Sequence, residues 1–490
     1  MGNALRITPT DNVAVALETI NCGDAALGVT AADRIPFGHK IALENIEKNQ
    51  TVVKYGYPIG TATEAILPGQ WVHSHNMTTN LKGQLSYTYE PNVKELAPLE
   101  PRFFNGFRRK DGRVSIRNEL WIIPLVGCVN DVCKTLETMA APLAEEFALD
   151  GVHHFPHPYG CSQLGSDLSN TRRLLAQLCR HPNAGGVLVV SLGCENNTLE
   201  SFCKELGTDY DDKIRYMVCQ DVKDELAEGL SLLRELAEYA SEFHREPCSA
   251  AELVIGLKCG GSDGLSGITG NPVVGRLSDM IVAMGGTSIL TEVPEMFGAE
   301  TVLMDRCENR KLFEKTTAMV NGFKEYFISN GQPVGENPSP GNKAGGITTL
   351  EDKSLGCIQK GGKAPISDVL DYGERVVCKG LNLLCAPGND LVSSTALTAA
   401  GAQLILFTTG RGTPFSAPSP TIKISTNSAL YEEKPHWIDI DTGSVAVGED
   451  IDSAAERLLS YILEVANGRH TCSEMNNQHG IAIWKGGVTL

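Results

Sequence analysis

The chain has 490 residues, 59 acidic against 42 basic, and a formal net charge of −17, which excludes nucleic acid and anionic membrane surfaces as natural partners. That length exceeds a single compact core and predicts two to four domains. No apolar run reaches the roughly 18 residues that span a bilayer and no charged-then-apolar leader opens the sequence, so it reads as a cytoplasmic protein whose 15 cysteines are reduced thiols.

Residues 1–90 carry short β-rich runs (NVAVAL, KIALENI, TVVKYGYPIGTAT, QWVHSHN) punctuated by Gly, Pro and Asp, which predicts a small all-β or β-clip module. Residues 91–106 form a proline-containing linker. From Phe107 continuous apolar strands alternate with amphipathic helices: LWIIPLVGC, then VNDVCKTLETMAAPLAEEFA, GVHHFPHPYGC, DLSNTRRLLAQLC, GGVLVVSLGC and TLESFCKEL. This pattern predicts βα units with a parallel sheet covered on both faces, a first α/β domain over 107–330. A second α/β region over 331–490 is rich in Gly, Pro, Asn and Thr, and its turns hold binding groups.

Three Gly-Cys pairs recur at one spacing: Cys161 follows Cys128 by 33 residues and precedes Cys194 by 33. Each closes a predicted strand, and ligands of open α/β sheets bind at that carboxyl edge. LVIGLKCGGSDG, with Cys259, resembles a fourth copy. Thiolates bind iron or zinc, and three of them leave a position open for substrate or water. Small thiols also pack well where strand meets helix, the reading preferred for Cys133, Cys179, Cys203 and Cys219. In the first module, His39 and the pair His73 and His75 could present imidazoles to one cation, since alternate residues of a strand share a face. The Gly-rich loop CGGSDGLSGITGNP follows a strand, fits neither a dinucleotide fingerprint nor a Walker A loop, and offers Gly261, Ser262 and Asp263 to a polyhydroxylated ligand. Lys343 and Arg411, each in a Gly-flanked loop, and Arg117, just before the first repeat strand, suit a carboxylate or phosphate.

Taken together, GHK, HSHN, DGRVSIRNEL, the three Gly-Cys strand ends, HPNAG, CGGSDGLSGITGNP, TEVPEMFGAE, NPSPGNKAGGITTLEDKSLG and TTGRGTP resemble the altronate and galactarate dehydratases, and WKGGVTL resembles the ending of the altronate branch. The resemblance spans the whole chain, although Ser115 stands where glycine is expected. It implies an N-terminal SAF-type β-clip domain on a larger α/β body, dependence on Fe(II), with Mn(II) as a substitute and an iron-sulfur cluster as the alternative, and conversion of D-altronate to 2-dehydro-3-deoxy-D-gluconate and water. It implies a small sugar acid as partner, with a homo-oligomer compatible.

Two ligand schemes follow from the residue types. In one, Cys128, Cys161 and Cys194 hold the iron, His39 or His75 does acid/base work, and Lys343, Arg117, Arg411 and the loop of Gly261, Ser262 and Asp263 hold the sugar acid. In the other, His39, His73 and His75 bind the iron and the cysteines are structural. Galactarate, another sugar acid, or a non-catalytic sugar-acid-binding role are the alternative functions.

Overall fold

A computed structural model describes residues 2–81 and 83–490. The N-terminal module is all-β as expected. Ala4–Leu5, Val13–Ala16, Lys40–Ala42 and Trp71–Val72 form one antiparallel sheet, and Thr51–Lys54, Tyr57–Ala62 and Met77–Thr78 another. An extended segment then crosses the body, tied by Tyr87 Oη to Glu300, Tyr89 Oη to the Glu308 carbonyl and Leu99 N to the Ala283 carbonyl.

The body holds two parallel sheets. In the first, β1 (Glu119–Pro124), β2 (Gly151–His154), β3 (Ala184–Ser191) and β4 (Ile214–Val218) lie in the order β2-β1-β3-β4, joined by α1 (Asn130–Glu146), α2 (Gly165–Arg180) and α3 (Leu199–Leu206) and followed by α4 (Glu225–Ser241). Side chains alternate between faces with a period of two and both faces are covered, so β1 and β3 are buried at every position. Leu120, Ile122, Leu188 and Val190 enter one core with Leu136, Leu233 and Leu236 of α1 and α4. Trp121, Ile123, Val187 and Val189 enter another with Leu174 and Leu178 of α2. That second core continues into Ile289, Leu384, Leu397 and Ile405 of the next sheet, so the two sheets share a helical layer.

The second sheet has seven parallel strands in the order β7-β8-β6-β5-β9-β10-β11: β5 (Val254–Cys259), β6 (Thr287–Leu290), β7 (Ile366–Leu370), β8 (Gly380–Leu384), β9 (Leu404–Thr409), β10 (Thr421–Ser425) and β11 (Ile440–Asp441). Its helices are α5 (Gly270–Ala283), α6 (Arg310–Ser329), α7 (Leu350–Cys357), α8 (Asp390–Ala399) and α9 (Ile451–Ala466). The boundary expected at 330 therefore moves to about residue 250. Cys259 does end a strand, but β5 pairs with β6 and β9 rather than extending the repeat sheet. A three-stranded antiparallel ribbon of Phe103–Arg108, Val114–Ser115 and Arg245–Ser249 joins the two halves.

Candidate functional site

The N-terminal module docks where three Gly-rich loops of the body meet. Gly264 and Gly346 lie so close to the Gly38 carbonyl that a Cβ would sit 1.9 and 2.2 Å from that oxygen, which only glycine permits. Lys40 then reaches into the body, donating to the Gly346 carbonyl at 2.7 Å and to Asp352 at 2.9 Å. Lys54 takes the other Asp352 oxygen at 3.0 Å, and Glu351 accepts from Thr79 Oγ1 and Asn80 N. All three members of the Lys40, Asp352 and Lys54 group are buried. Burial alone would raise the Asp352 carboxyl, yet the two ammoniums hold it well below the usual carboxylate range.

This docking gathers most of the sequence-predicted residues. Trp71 Nε1–H donates to His39 Nδ1 at 3.2 Å, so His39 Nε2 carries the proton and faces the Ala344 carbonyl at 3.2 Å. His73 Nε2 faces the Lys343 carbonyl at 3.0 Å, and burial pushes its imidazole down to about 4. The two rings stack with centroids 5.1 Å apart. His39 and His73 thus each spend Nε2 clamping the 343–344 backbone, while Nδ1 takes the Trp71 N–H in His39 and lies 3.0 Å from the Ser74 hydroxyl in His73. The strand reading of HSH is also corrected: Asn76 Oδ1 accepts from His73 N and turns the chain, so His73 faces inward while His75 is exposed against Trp71. The Lys343 ammonium and the other donors of Arg411, whose Nη1 takes the Gly341 carbonyl, are free of partners within the described residues.

Asp263 is fully committed inside the protein. Its oxygens accept from Leu265 N, Ser266 Oγ, Thr426 Oγ1 and Asn427 Nδ2, which ties the 261–266 loop to the end of β10. Ser262 gives its carbonyl to Asn342, and the Gly261 carbonyl accepts from Gly410 N. These residues shape the loop cluster through their backbone. Arg117 is not brought here: it is buried against Glu474 at 2.7 Å and donates to the Ile116, Val465 and Arg469 carbonyls, so every arm of its fork is used in joining the two halves. Its expected contact with substrate gives way to that structural role.

Cys128, Cys161 and Cys194 follow three adjacent strands of the first sheet, and all three are exposed. Their loops interlock. Gly127 N donates to the Tyr159 carbonyl, Asn197 N to the Gly160 carbonyl and Ser162 N to Asn196 Oδ1. A Cβ at Gly160, whose φ is +97°, would stand 2.0 Å from the Leu125 carbonyl. Neither an ammonium nor a carboxylate contacts these sulfurs among the described residues. The three do not converge on one point, however. Among the described residues, the set whose ligand atoms all lie within 4.8 Å of one another is Cys259, Glu295 and Cys357. The mononuclear histidine scheme and a tight three-thiolate site for one ion are therefore both unassembled.

Beneath the triad loops, His157 Nε2 donates to the Pro124 carbonyl and Nδ1 accepts from Tyr159 N. His181 does the same with the Ala402 carbonyl and Asn183 N, bridging the two sheets. Burial pushes these imidazoles down to about 4 and about 3, below the ~6.5 of an unfolded chain. Below pH ~6.5 the unfolded chain binds protons that the folded one refuses, so stability is complete above that pH and falls as pH drops toward 4. The expected slope is up to about 1.4 kcal/mol per pH unit for each histidine, read from urea midpoints between pH 7 and 4.5. A midpoint that stays flat over that range would contradict it.

The Cys259, Glu295 and Cys357 cluster was missed by the sequence reading. Cys259 ends β5, Cys357 ends α7, and Glu292 and Glu295 come from the turn after β6. The two sulfurs are 3.5 Å apart, and Glu295 Oε2 lies 3.1 Å from Cys357 Sγ and 3.4 Å from Cys259 Sγ. Lys360 Nζ is 2.8 Å from Cys259 Sγ and 3.2 Å from Glu292, Lys353 Nζ is 2.7 Å from Glu295, and Lys258 pairs with Glu292 and Asp390. Burial opposes the Glu295 charge, but Lys353, Lys258 and Lys360 hold its carboxyl well below the usual range. Nothing local in the sequence marks these residues as partners, since charges in TEVPEMF and LEDKSLGC would ordinarily face water.

Comparison with known proteins accords with this architecture. Family models match residues 2–80 (altronate/galactarate dehydratase SAF domain), 106–241 (D-galactarate dehydratase/altronate hydrolase, second domain) and 250–489 (D-galactarate/altronate dehydratase, C-terminal). Altronate dehydratase of Bacillus subtilis is 50% identical, with all of both chains covered, and that of Escherichia coli is 50% identical over 99% of each. Galactarate dehydratase (L-threo-forming) of Escherichia coli is 34% identical over 95% of this chain and 93% of its own. With all three domains matched in order and relatives aligned from end to end, the chain belongs to the D-galactarate/altronate dehydratase family and is a hydro-lyase.

Proposed function

We propose that the chain dehydrates altronate to the 2-keto-3-deoxy acid and water, with iron as its Lewis acid. The observation that carries this reading is the 50% identity, from end to end, to two altronate dehydratases. The chemistry needs a proton taken from the carbon beside a carboxylate and a hydroxyl expelled from the next. Arg411 and Lys343, unpaired and on neighbouring loops, receive the carboxylate, and Arg411 suits it best because its fork binds two oxygens at once. His75 is the exposed imidazole of the docking face and has the freedom to move a proton, whereas His39 and His73 hold the Lys343 loop in place. Asp263 positions the 261–266 loop from beneath.

For the iron, the donor chemistry favours Cys128, Cys161 and Cys194. Their thiols are exposed, free of ammonium partners, and carried on loops locked to one another. The Cys259, Glu295 and Cys357 set is the poorer host, because Lys258, Lys353 and Lys360 already balance its acids. Thiolates sharing one tetrahedral ion at ~2.3 Å would stand about 4 Å apart. The triad is not gathered so closely, so a single ion would need its loops to draw together. Bound iron would polarise the departing hydroxyl and the developing enediolate.

The test is 2-oxo acid formation by anaerobically purified protein, with altronate and galactarate offered separately, with and without added Fe(II). Iron-dependent turnover of altronate is the expected result, and Arg411→Ala should raise KM about 10-fold or more through loss of a charge-assisted pair. No product from altronate in the presence of iron would overturn the reading.

A further inference from the structure

The buried sulfur cluster at the end of β5 has the composition of a redox pair. Cys259 and Cys357 are in van der Waals contact at 3.5 Å, both reduced, and only 2% and 4% exposed. Their surroundings differ. Lys360 Nζ lies 2.8 Å from Cys259 Sγ, which also has Glu295 Oε2 at 3.4 Å, while Cys357 points its thiol at Glu295 Oε2, 3.1 Å away, with no ammonium on its sulfur among the described residues. Lys258, Lys353 and Lys360 are matched by Glu292, Glu295 and Asp390, and Lys360 is the cation in reach of the Cys259 sulfur. The Cys357 thiol, held protonated by its hydrogen bond with Cys259 and by burial, has a carboxylate in place to take its proton. A narrow pocket lined by Tyr55, Ser262, Asp263, Lys353 and Cys357 reaches the Cys357 side of the pair from the docking seam.

We propose that Cys259 and Cys357 are a site of reversible oxidation by small hydroperoxides. The Cys259 thiolate attacks one peroxide oxygen, the O–O bond breaks, and Cys259 becomes a sulfenic acid as hydroxide leaves and takes a proton from solvent. Cys357 passes its proton to Glu295 and its sulfur attacks Cys259 Sγ. The S–O bond breaks, and the departing hydroxide recovers the proton from Glu295 as water. Two thiols lose two electrons in all, and one peroxide becomes two waters. The disulfide ties the end of α7, which carries Asp352 and Lys353, to the strand end that opens into the Gly261 to Gly264 loop, and it takes the Cys259 sulfur from Lys360, leaving Glu292 as that ammonium's partner. It thereby couples peroxide exposure to the geometry of the docking seam.

The experiment exposes the full-length, tris(carboxyethyl)phosphine-reduced protein to one equivalent of hydrogen peroxide, blocks free thiols with iodoacetamide, and maps peptides without reduction. A Cys259 to Cys357 cross-link that disappears on re-reduction is expected, while buried Cys133 and Cys179 stay alkylatable after unfolding. In Cys357→Ser the cross-link cannot form, and dimedone, which captures sulfenic acids, should label Cys259 about tenfold more than in the unmodified chain. Both cysteines remaining free thiols at that dose, or Cys259 cross-linking elsewhere, would overturn the proposal. So would protection of both thiols by added Zn(II) that is lost in Glu295→Gln, which would make the cluster a metal site.

Discussion

Asp352→Ala is expected to cost the folded protein about 3–5 kcal/mol, because it leaves Lys40 and Lys54 buried with no carboxylate between them. The loss should concentrate at the seam. Lys40 belongs to the N-terminal module and Asp352 to α7, so the variant should open the docking face and expose the extended 83–102 segment to protease before the body unfolds. Turnover should fall with it, since His39 and His73 would release the Lys343 loop. Acid should imitate the substitution: the Asp352 carboxyl is held below its unfolded value of ~3.9, so its contribution is complete above that pH and is lost as pH falls through the lower, folded value. Replacing all three by apolar residues of similar volume should recover most of the stability but not the activity, as buried ion groups often give way to apolar packing without loss. A urea midpoint for Asp352→Ala equal to that of the unsubstituted chain would show that the trio is not what holds the module.

Single serine substitutions at Cys128, Cys161 and Cys194 should abolish iron retention and lower kcat by about 100-fold or more, at or beyond the 10–100-fold cost of changing residues that merely support metal ligands. Stability should stay within about 0.5 kcal/mol, because the three side chains are exposed and their loops are fixed by backbone and asparagine hydrogen bonds rather than by sulfur. The thermal midpoint is therefore the control that separates a lost cofactor from a lost fold. Equal iron content and equal turnover in Cys161→Ser and Cys194→Ser would return the triad to the role of small packing residues and leave the iron ligands to be found elsewhere.

Much of the fold was open to reading because it rests on local periodicity. The apolar runs of β1 and β3 read as strands covered on both faces, and the three Gly-Cys pairs fall in the loops just beyond the strands that end at Pro124, His154 and Ser191, because one βα unit consumes about that many residues. Arg411 lies in a loop as expected, but Lys343 sits in the short helix Pro340–Ala344. Periodicity could not say which sheet β5 would join, and so the 330 boundary was misplaced: Cys259 closes a strand that reads like the others but pairs with strands formed up to 150 residues later.

The sequence by itself determined the architecture of alternating strands and helices, the equal placement of Cys128, Cys161 and Cys194, and the family through its long motifs. Tertiary structure decided which charges are buried and with whom. It turned Arg117 into an internal brace, His39 and His73 into clamps, and Asp263 into a strut. It also joined Cys259, Glu295 and the Cys357 to Lys360 turn from three separate segments. The reason is that apolar burial leaves a periodic trace along the chain, whereas a buried ionic group is stable only through partners at arbitrary sequence distance, and nothing in a residue's neighbours along the chain records them.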